Sequence, residues 1–145
     1  MAKKKNLTQD QVLKIKGINR GLEKAIGKHL NSTGIDYTYE EKRYSFVQPA
    51  KNRTYTPDFF LYDKEGNLKI LIEAKGRLSK ADRDKMLWFK KAYPEKDIRM
   101  VFSNSRQKCE GRKITCGQWC DKEGILYADK LIPQEWIDEV NNNGS

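Results

Sequence analysis

Apolar positions Ile18, Leu22, Ala25, Ile26 and Leu30 recur at the spacing of one helix face, and Gly34 supplies a stop after Asn31, Ser32 and Thr33. This pattern predicts a helix over 19–31. Strict alternation follows, with Ile35, Tyr37 and Tyr39 set against Asp36, Thr38 and Glu40, the period of a half-buried strand, and 44–47 reads as a second extended piece. Two apolar segments, 59–62 and 68–74, flank the turn residues Asp63 to Asn67 and predict a hairpin, with Pro57 at a strand start where a missing donor costs least. Ser79 with Asp82 three positions on reads as a helix cap, leading through Met86 and Phe89 to a stop before Pro94. A short apolar strand over 98–102, a Ser-, Arg- and Lys-rich loop to 113, a helix over 115–123 closed by Gly124, a strand near 126–128 and a last turn from Pro133 complete the chain. The order helix, several strands, helix, strand, helix predicts an α/β fold with a mixed sheet flanked by helices. No internal repeat is visible.

Composition narrows the picture. At 145 residues the chain accommodates one ordinary domain, read as 18–140, preceded by a basic, flexible arm over 1–17 and followed by a disordered tail over 141–145. A net charge of +9 favours a polyanionic partner, nucleic acid first. Lys3, Lys4, Lys5, Lys14, Lys16, Arg20, Lys24 and Lys28 outweigh Asp10 and Glu23 near the start, so that segment reads either as phosphate-seeking or as a solubilising tail. No apolar run reaches membrane-spanning length and no secretory leader pattern is present, which gives the expectation of a cytoplasmic protein. Cys109, Cys116 and Cys120 have the spacing of neither a disulfide framework nor a common zinc site and read as reduced thiols.

The chemistry concentrates on the hairpin. Thr56-Pro57-Asp58 opens one strand and Glu73-Ala74-Lys75 ends the other, so the turn brings Asp58 and the Glu73 to Lys75 segment toward the same end of the sheet. Glu73 and Lys75 are two apart on a strand and share a face. Such a set suits phosphodiester hydrolysis: Asp58 and Glu73 would bind Mg²⁺ or Mn²⁺ with the Ala74 carbonyl as a further oxygen ligand. Lys75 would position or deprotonate the attacking water and offset phosphate charge. The PD…ExK pattern alone is weak in a chain 34% charged, and Asp58 as a turn former with Glu73 and Lys75 on a solvated strand face accounts for it equally well. The abrupt change from Ile70-Leu71-Ile72 to charge favours the catalytic reading.

Arg20-Gly21-Leu22-Glu23, Tyr39-Glu40-Glu41, Pro49-Ala50, Thr54 to Phe59, Val101-Phe102-Ser103 with Ser105-Arg106, and Ala128 to Pro133 with Glu135-Trp136-Ile137 resemble the phage endonuclease I family along nearly the whole chain. The resemblance implies a restriction-endonuclease-like PD-(D/E)xK core and metal-dependent resolution of four-way (Holliday) DNA junctions in phage recombination or DNA breakdown. It implies that Glu23 is the fourth catalytic residue beside Asp58, Glu73 and Lys75, helping to hold a second metal ion. It further implies a strand-exchanged homodimer in which Glu23 of one chain completes the site of the other through a bridge over 43–50. Ser45 stands there where the family pattern leads us to expect proline.

Phosphate contacts are expected from Lys14, Lys16, Arg20, Arg106, Lys108, Arg112 and Lys113, each also explicable as an ordinary surface charge. His29, on the first helix, reads as a partly buried or surface side chain rather than as a catalyst, and Trp88, Trp119 and Trp136 read as core packing rather than as base-stacking platforms. The alternatives are a nuclease of the same superfamily acting on mismatched or linear duplex and a noncatalytic junction binder.

Overall fold

The computed structural model describes residues 8–48 and 51–142. Its elements are α1 (Gln9–Ile15), α2 (Gly21–Thr33), β1 (Asp36–Tyr39), β2 (Tyr44–Gln48), β3 (Lys51–Tyr55), β4 (Phe59–Tyr62), β5 (Leu68–Lys75), α3 (Lys80–Ala92), β6 (Ile98–Phe102), α4 (Cys116–Glu123), β7 (Tyr127–Asp129) and α5 (Gln134–Asn142). A mixed sheet of order β1-β4-β5-β6-β7 carries the fold, and β2 and β3 form a separate antiparallel pair. The β1-β4-β5 portion is antiparallel, while β6 and β7 join in parallel.

Alternation along the strands builds three layers. Phe59, Leu61, Ile70, Ile72 and Val101 pack with Leu13, Ile26 and Leu30 of α1 and α2 and with Trp136, Ile137 and Val140 of α5. Phe60, Leu71, Met100 and Phe102 face the other way, onto Met86 and Phe89 of α3, Trp119 and Cys120 of α4, and Phe46 and Tyr55 of the small pair. The expected α/β architecture, a mixed sheet flanked by helices, is what the chain adopts.

Local chemistry sets the helix ends. Ser79 and Thr115 cap α3 and α4 with reciprocal boxes, and Gly34 and Gly124 close α2 and α4 at positive φ of 71° and 70°, a conformation glycine adopts without steric cost. The expected basic, flexible arm over 1–17 includes a helix among its described residues. Residues 9–15 form α1 with a Thr8 cap, and Leu13 is buried against α2, where a Cβ added at Gly27 would collide with the leucine side chain. Two further differences concern β3, where the sequence pattern suggests only a polar turn, and α5, which continues from the expected last turn for nine residues. Residues 1–7, the 49–50 portion of the expected bridge and 143–145 of the tail lie outside the described residues.

Arg99 fastens α5 to the sheet. The residue is only 4% exposed, and its guanidinium contacts Asp97 at 2.8 Å and Glu139 at 2.7 Å and lies 5.1 Å from the Trp136 ring. Trp119 and Trp136 are buried and Trp88 is half-buried beside Phe46, so all three indoles pack within the fold. Among the described residues, no helix is long and apolar enough to cross a membrane. Because α1 is an integral layer, Leu13→Ala is expected to lower unfolding free energy by about 2–4 kcal/mol. Denaturant titration checks this: a change below about 0.5 kcal/mol would mean that α1 does not contribute to the folded domain.

Candidate functional site

A cleft of about 310 Å³ opens at the junction of α2, β4 and β5, lined by Arg20, Leu22, Glu23, Asp58, Ala74, Lys75, Gly76 and Arg77. Register explains the meeting. Phe59 pairs with Ile72, so the preceding Asp58 stands opposite Glu73, and its Oδ2 accepts a hydrogen bond from the Ala74 amide at 2.8 Å. Glu23 enters from the first turn of α2, its carboxylate accepting from the Tyr39 hydroxyl. Glu40, at a left-handed φ of 50°, donates its amide to the Asp58 carbonyl at 3.1 Å and brings a third carboxylate. One oxygen from each of Glu23, Glu40 and Asp58 falls within 4.8 Å of the others.

Electrostatics here is dominated by burial of like charge. Glu23 is raised above the ordinary carboxylate range, first by burial and then by Asp58, against a lowering hydrogen bond from Tyr39. Asp58 is also raised by burial, partly offset by hydrogen bonds with Glu73 and the Ala74 amide and by the charge of Lys75. Glu73, 5% exposed, is raised furthest by burial and by Asp58. Beside it, the buried Tyr55 hydroxyl is close enough to feel that charge but makes no hydrogen bond of ordinary geometry. Lys75 Nζ lies 3.2 Å from Asp82 Oδ1 and 4.0 Å from Glu73 Oε2. Burial alone would lower the lysine, but those two carboxylates reverse the effect and leave it raised.

This donor set fits a hard divalent cation: converging carboxylate oxygens, partly withdrawn from water, carry repulsion that such an ion would relieve. Ligand geometry groups Glu23 and Asp58 with Glu40, whereas sequence reading groups them with Glu73 and Ala74. Glu73 lies beside Asp58, and Ala74 lines the same cleft.

The expected phosphate contacts divide. Arg20 reaches the acidic cleft and Lys14 lines a separate one beside Asp10 and Lys24. Lys16 donates to the Tyr37 carbonyl at 3.0 Å and sits 4.4 Å above that ring, so its ammonium already has partners in the fold. Arg106 borders a cleft at the ends of β6 and β7, Arg112 one between α3 and α4, and Lys108 and Lys113 are exposed on the intervening loop. Glu40, Tyr39, Tyr55, Arg77 and Asp82 were not singled out as site residues from sequence. Asp82 carries a signal as the third position after a capping serine, and Tyr39, Glu40 and Tyr55 fall in segments that resemble the family, without a role attached.

Because these acids are raised in the fold, the folded chain binds more protons than the unfolded one once pH passes about 4, and stability falls as pH rises through the shifted values. Metal-free protein should therefore melt lower at about pH 8 than at about pH 5, and Glu73→Gln should flatten that slope and melt above wild type at the higher pH. Thermal denaturation in chelator tests this; an unchanged slope in the variant would remove Glu73 as a source of strain.

Residues 1–145 match the family Phage endonuclease I. The chain is 45% identical over 129 residues to Endonuclease I of Escherichia phage T7, covering 88% of this chain and 83% of that protein. It is also 45% identical over 120 residues to Endodeoxyribonuclease 1 of Enterobacteria phage T3, covering 82% and 76% respectively. With a match running the whole length of the chain and two such relatives, the protein belongs to the phage endonuclease I family.

Proposed function

We propose that the protein is a divalent-metal-dependent endodeoxyribonuclease that resolves four-way DNA junctions by phosphodiester hydrolysis, one nick per active site of a homodimer. The observation carrying this reading is the convergence of Glu23, Asp58 and Lys75 in one cleft with Glu73 beside Asp58. The names of the relatives, an endonuclease and an endodeoxyribonuclease, supply the substrate class.

Glu23, Asp58 and Glu73 would hold Mg²⁺ or Mn²⁺, two ions per site, with Glu40 and the Ala74 carbonyl as further oxygen donors. Such ions supply charge neutralisation at the phosphate and a more acidic water. Lys75, kept as an ammonium by Glu73 and Asp82, offers positive charge and N–H donors to the phosphate and the attacking water. That favours positioning over proton abstraction. Tyr39 orients Glu23, and the Ala74 amide fixes Asp58 through one carboxylate oxygen.

The dimer is proposed to arise by exchange at the β2–β3 pair. Gln48 pairs with Lys51, so the connection is the two-residue segment 49–50, and α1, α2, β1 and β2 all precede it. Exchange at that connection would let residues before it dock on a second chain through the same contacts, giving two sites of unchanged composition related by a two-fold axis. Two symmetric nicks across a branch need that arrangement.

A labelled four-way junction with excess linear duplex as competitor tests the proposal. Paired nicks are expected in Mg²⁺ and none in Ca²⁺. Asp58→Asn should bind the junction but cut it more than about 100-fold more slowly, beyond the range of groups that merely support a ligand. Asp82→Asn retains a cap acceptor for α3 while releasing Lys75, and a loss of about 10-fold in cleavage with unchanged binding is expected. Wild-type binding without cleavage in Mg²⁺ or Mn²⁺ would replace the reading with a noncatalytic binder, and preference for linear duplex would remove the junction.

A further inference from the structure

The cleft bordered by Ser103, Asn104, Arg106, Asp129 and Lys130, about 550 Å³ in volume, lies at the carboxyl ends of β6 and β7. Those strands run parallel to β5 and end level with it: Lys75 pairs with Phe102, and Phe102 with Asp129. The Ser103 amide donates to the Lys75 carbonyl at 3.2 Å and the Lys130 amide to the Phe102 carbonyl at 2.7 Å. The cleft therefore continues the edge on which Lys75 stands, about two strand spacings, or roughly 10 Å, away. Carboxyl ends of parallel strands are where open α/β sheets receive ligands.

Its lining is built rather than loose. Asp129 accepts from both the amide and the hydroxyl of Ser105, at 2.6 and 2.7 Å, which ties the loop after β6 to the end of β7. Asn104 accepts from the Arg106 amide at 3.0 Å, and the Ser105 carbonyl accepts from the Gly117 amide at 2.9 Å. Lys130 holds a left-handed φ of 70°, a conformation unfavourable for a side-chain-bearing residue. Both cations are exposed, and neither side chain has an ion-pair partner among the described residues. With both Asp129 oxygens committed to Ser105, the cleft presents two uncommitted cations along the edge that carries the catalytic lysine.

We propose that this cleft is a phosphate subsite, in which Arg106 and Lys130 grip a backbone phosphate of the cleaved strand within about three linkages of the scissile one. The inference rests on the DNA-cleaving reading above and extends it to a register-setting contact: a strand anchored about 10 Å from Lys75 has its scissile phosphate placed along the sheet edge. A B-form strand advances about 3.4 Å per nucleotide along its axis, so the separation corresponds to roughly one to three linkages.

The test uses the full chain in Ca²⁺, with junctions carrying one uncharged methylphosphonate linkage at successive positions around the cut site. Arg106→Gln with Lys130→Asn forms the variant, asparagine being chosen because it tolerates positive φ. In wild type, one position near the scissile linkage on the cleaved strand should weaken binding about 10-fold and reduce the salt slope by about one. The double variant should show the same loss on the unmodified junction and no further response to that position, with its melting temperature unchanged and cleavage retained at saturating DNA. Arg106→Glu should weaken binding further than the glutamine change. Additive losses from linkage and variant, sensitivity confined to the uncleaved strand, or no sensitive linkage would each overturn the subsite. Wild type that neither binds nor cuts DNA would instead overturn the nuclease reading beneath it.

Discussion

Glu23 and Glu73 are carboxyl groups drawn partly out of water on either side of a third, Asp58, and much of the surrounding structure can be read as the means of tolerating them. Burial raises all three, which is another way of saying that the fold disfavours their ionised forms. Tyr39 and the Ala74 amide each donate to one of these carboxylates, and Lys75 sets a positive charge among them. None of these removes the repulsion. The apolar layers on both faces of the sheet must hold it, as Phe59, Leu61, Ile70 and Ile72 do on one side and Phe60 and Leu71 on the other. Such stored repulsion is what makes a carboxylate site receptive to a divalent ion, whose binding energy then returns as stability of the folded chain.

The meeting of these side chains depends on strand register. From Phe59 to Leu61 the pairing runs Ile72, Leu71, Ile70, then slips so that Tyr62 faces Leu68 and Lys69 is left as the extra residue. Without that slip, Asp58 would stand opposite Ile72, whose side chain belongs to the other face of the sheet. The irregularity near the turn therefore sets the alignment of the acids at the far end of the hairpin. Parallel pairing of β5 with β6 and of β6 with β7 then extends the same edge toward Arg106 and Lys130.

Residues whose role follows from alternation were legible in the sequence. Glu73 and Lys75 share a face because they are two apart, Asp58 meets them because the turn is local, and the layers follow from apolar periodicity at Ile26, Leu30, Met86 and Phe89. Glu23 was not legible this way: it is one charge on an amphipathic helix, and only resemblance to a family distinguished it. The strand β3 reads Lys-Asn-Arg-Thr-Tyr, in which Tyr55 gives the apolar signal, too little to establish a period. Helix α1 is hidden by its basic setting, because Leu13 is its single buried residue and the Thr8 cap falls within a run of polar and basic residues. Glu40 depends on a left-handed backbone at a strand end, and no pattern of residue types announces that at a glutamate.

An acid-lined cleft is a poor host for a phosphate unless positive charge surrounds it, and this explains why the basic residues are distributed as they are. Gathered into the cleft, they would pair with Glu23, Asp58 and Glu73 and occupy the oxygens a metal ion needs. Lys75 escapes that outcome because Asp82, itself fixed to the start of α3 by Ser79, draws its ammonium to 3.2 Å while Glu73 remains at 4.0 Å. Arg20 and Arg77 stand at the rim, Arg77 steadied by Glu110 across 3.3 Å. A net charge of +9 favours the approach of a polyanion at long range, while the clustered carboxylates at the centre of the cleft suit a cation. The division is one of distance: basic side chains stand at the edge, where a polyanion would meet them, and the acids at the strand ends keep their oxygens for a cation.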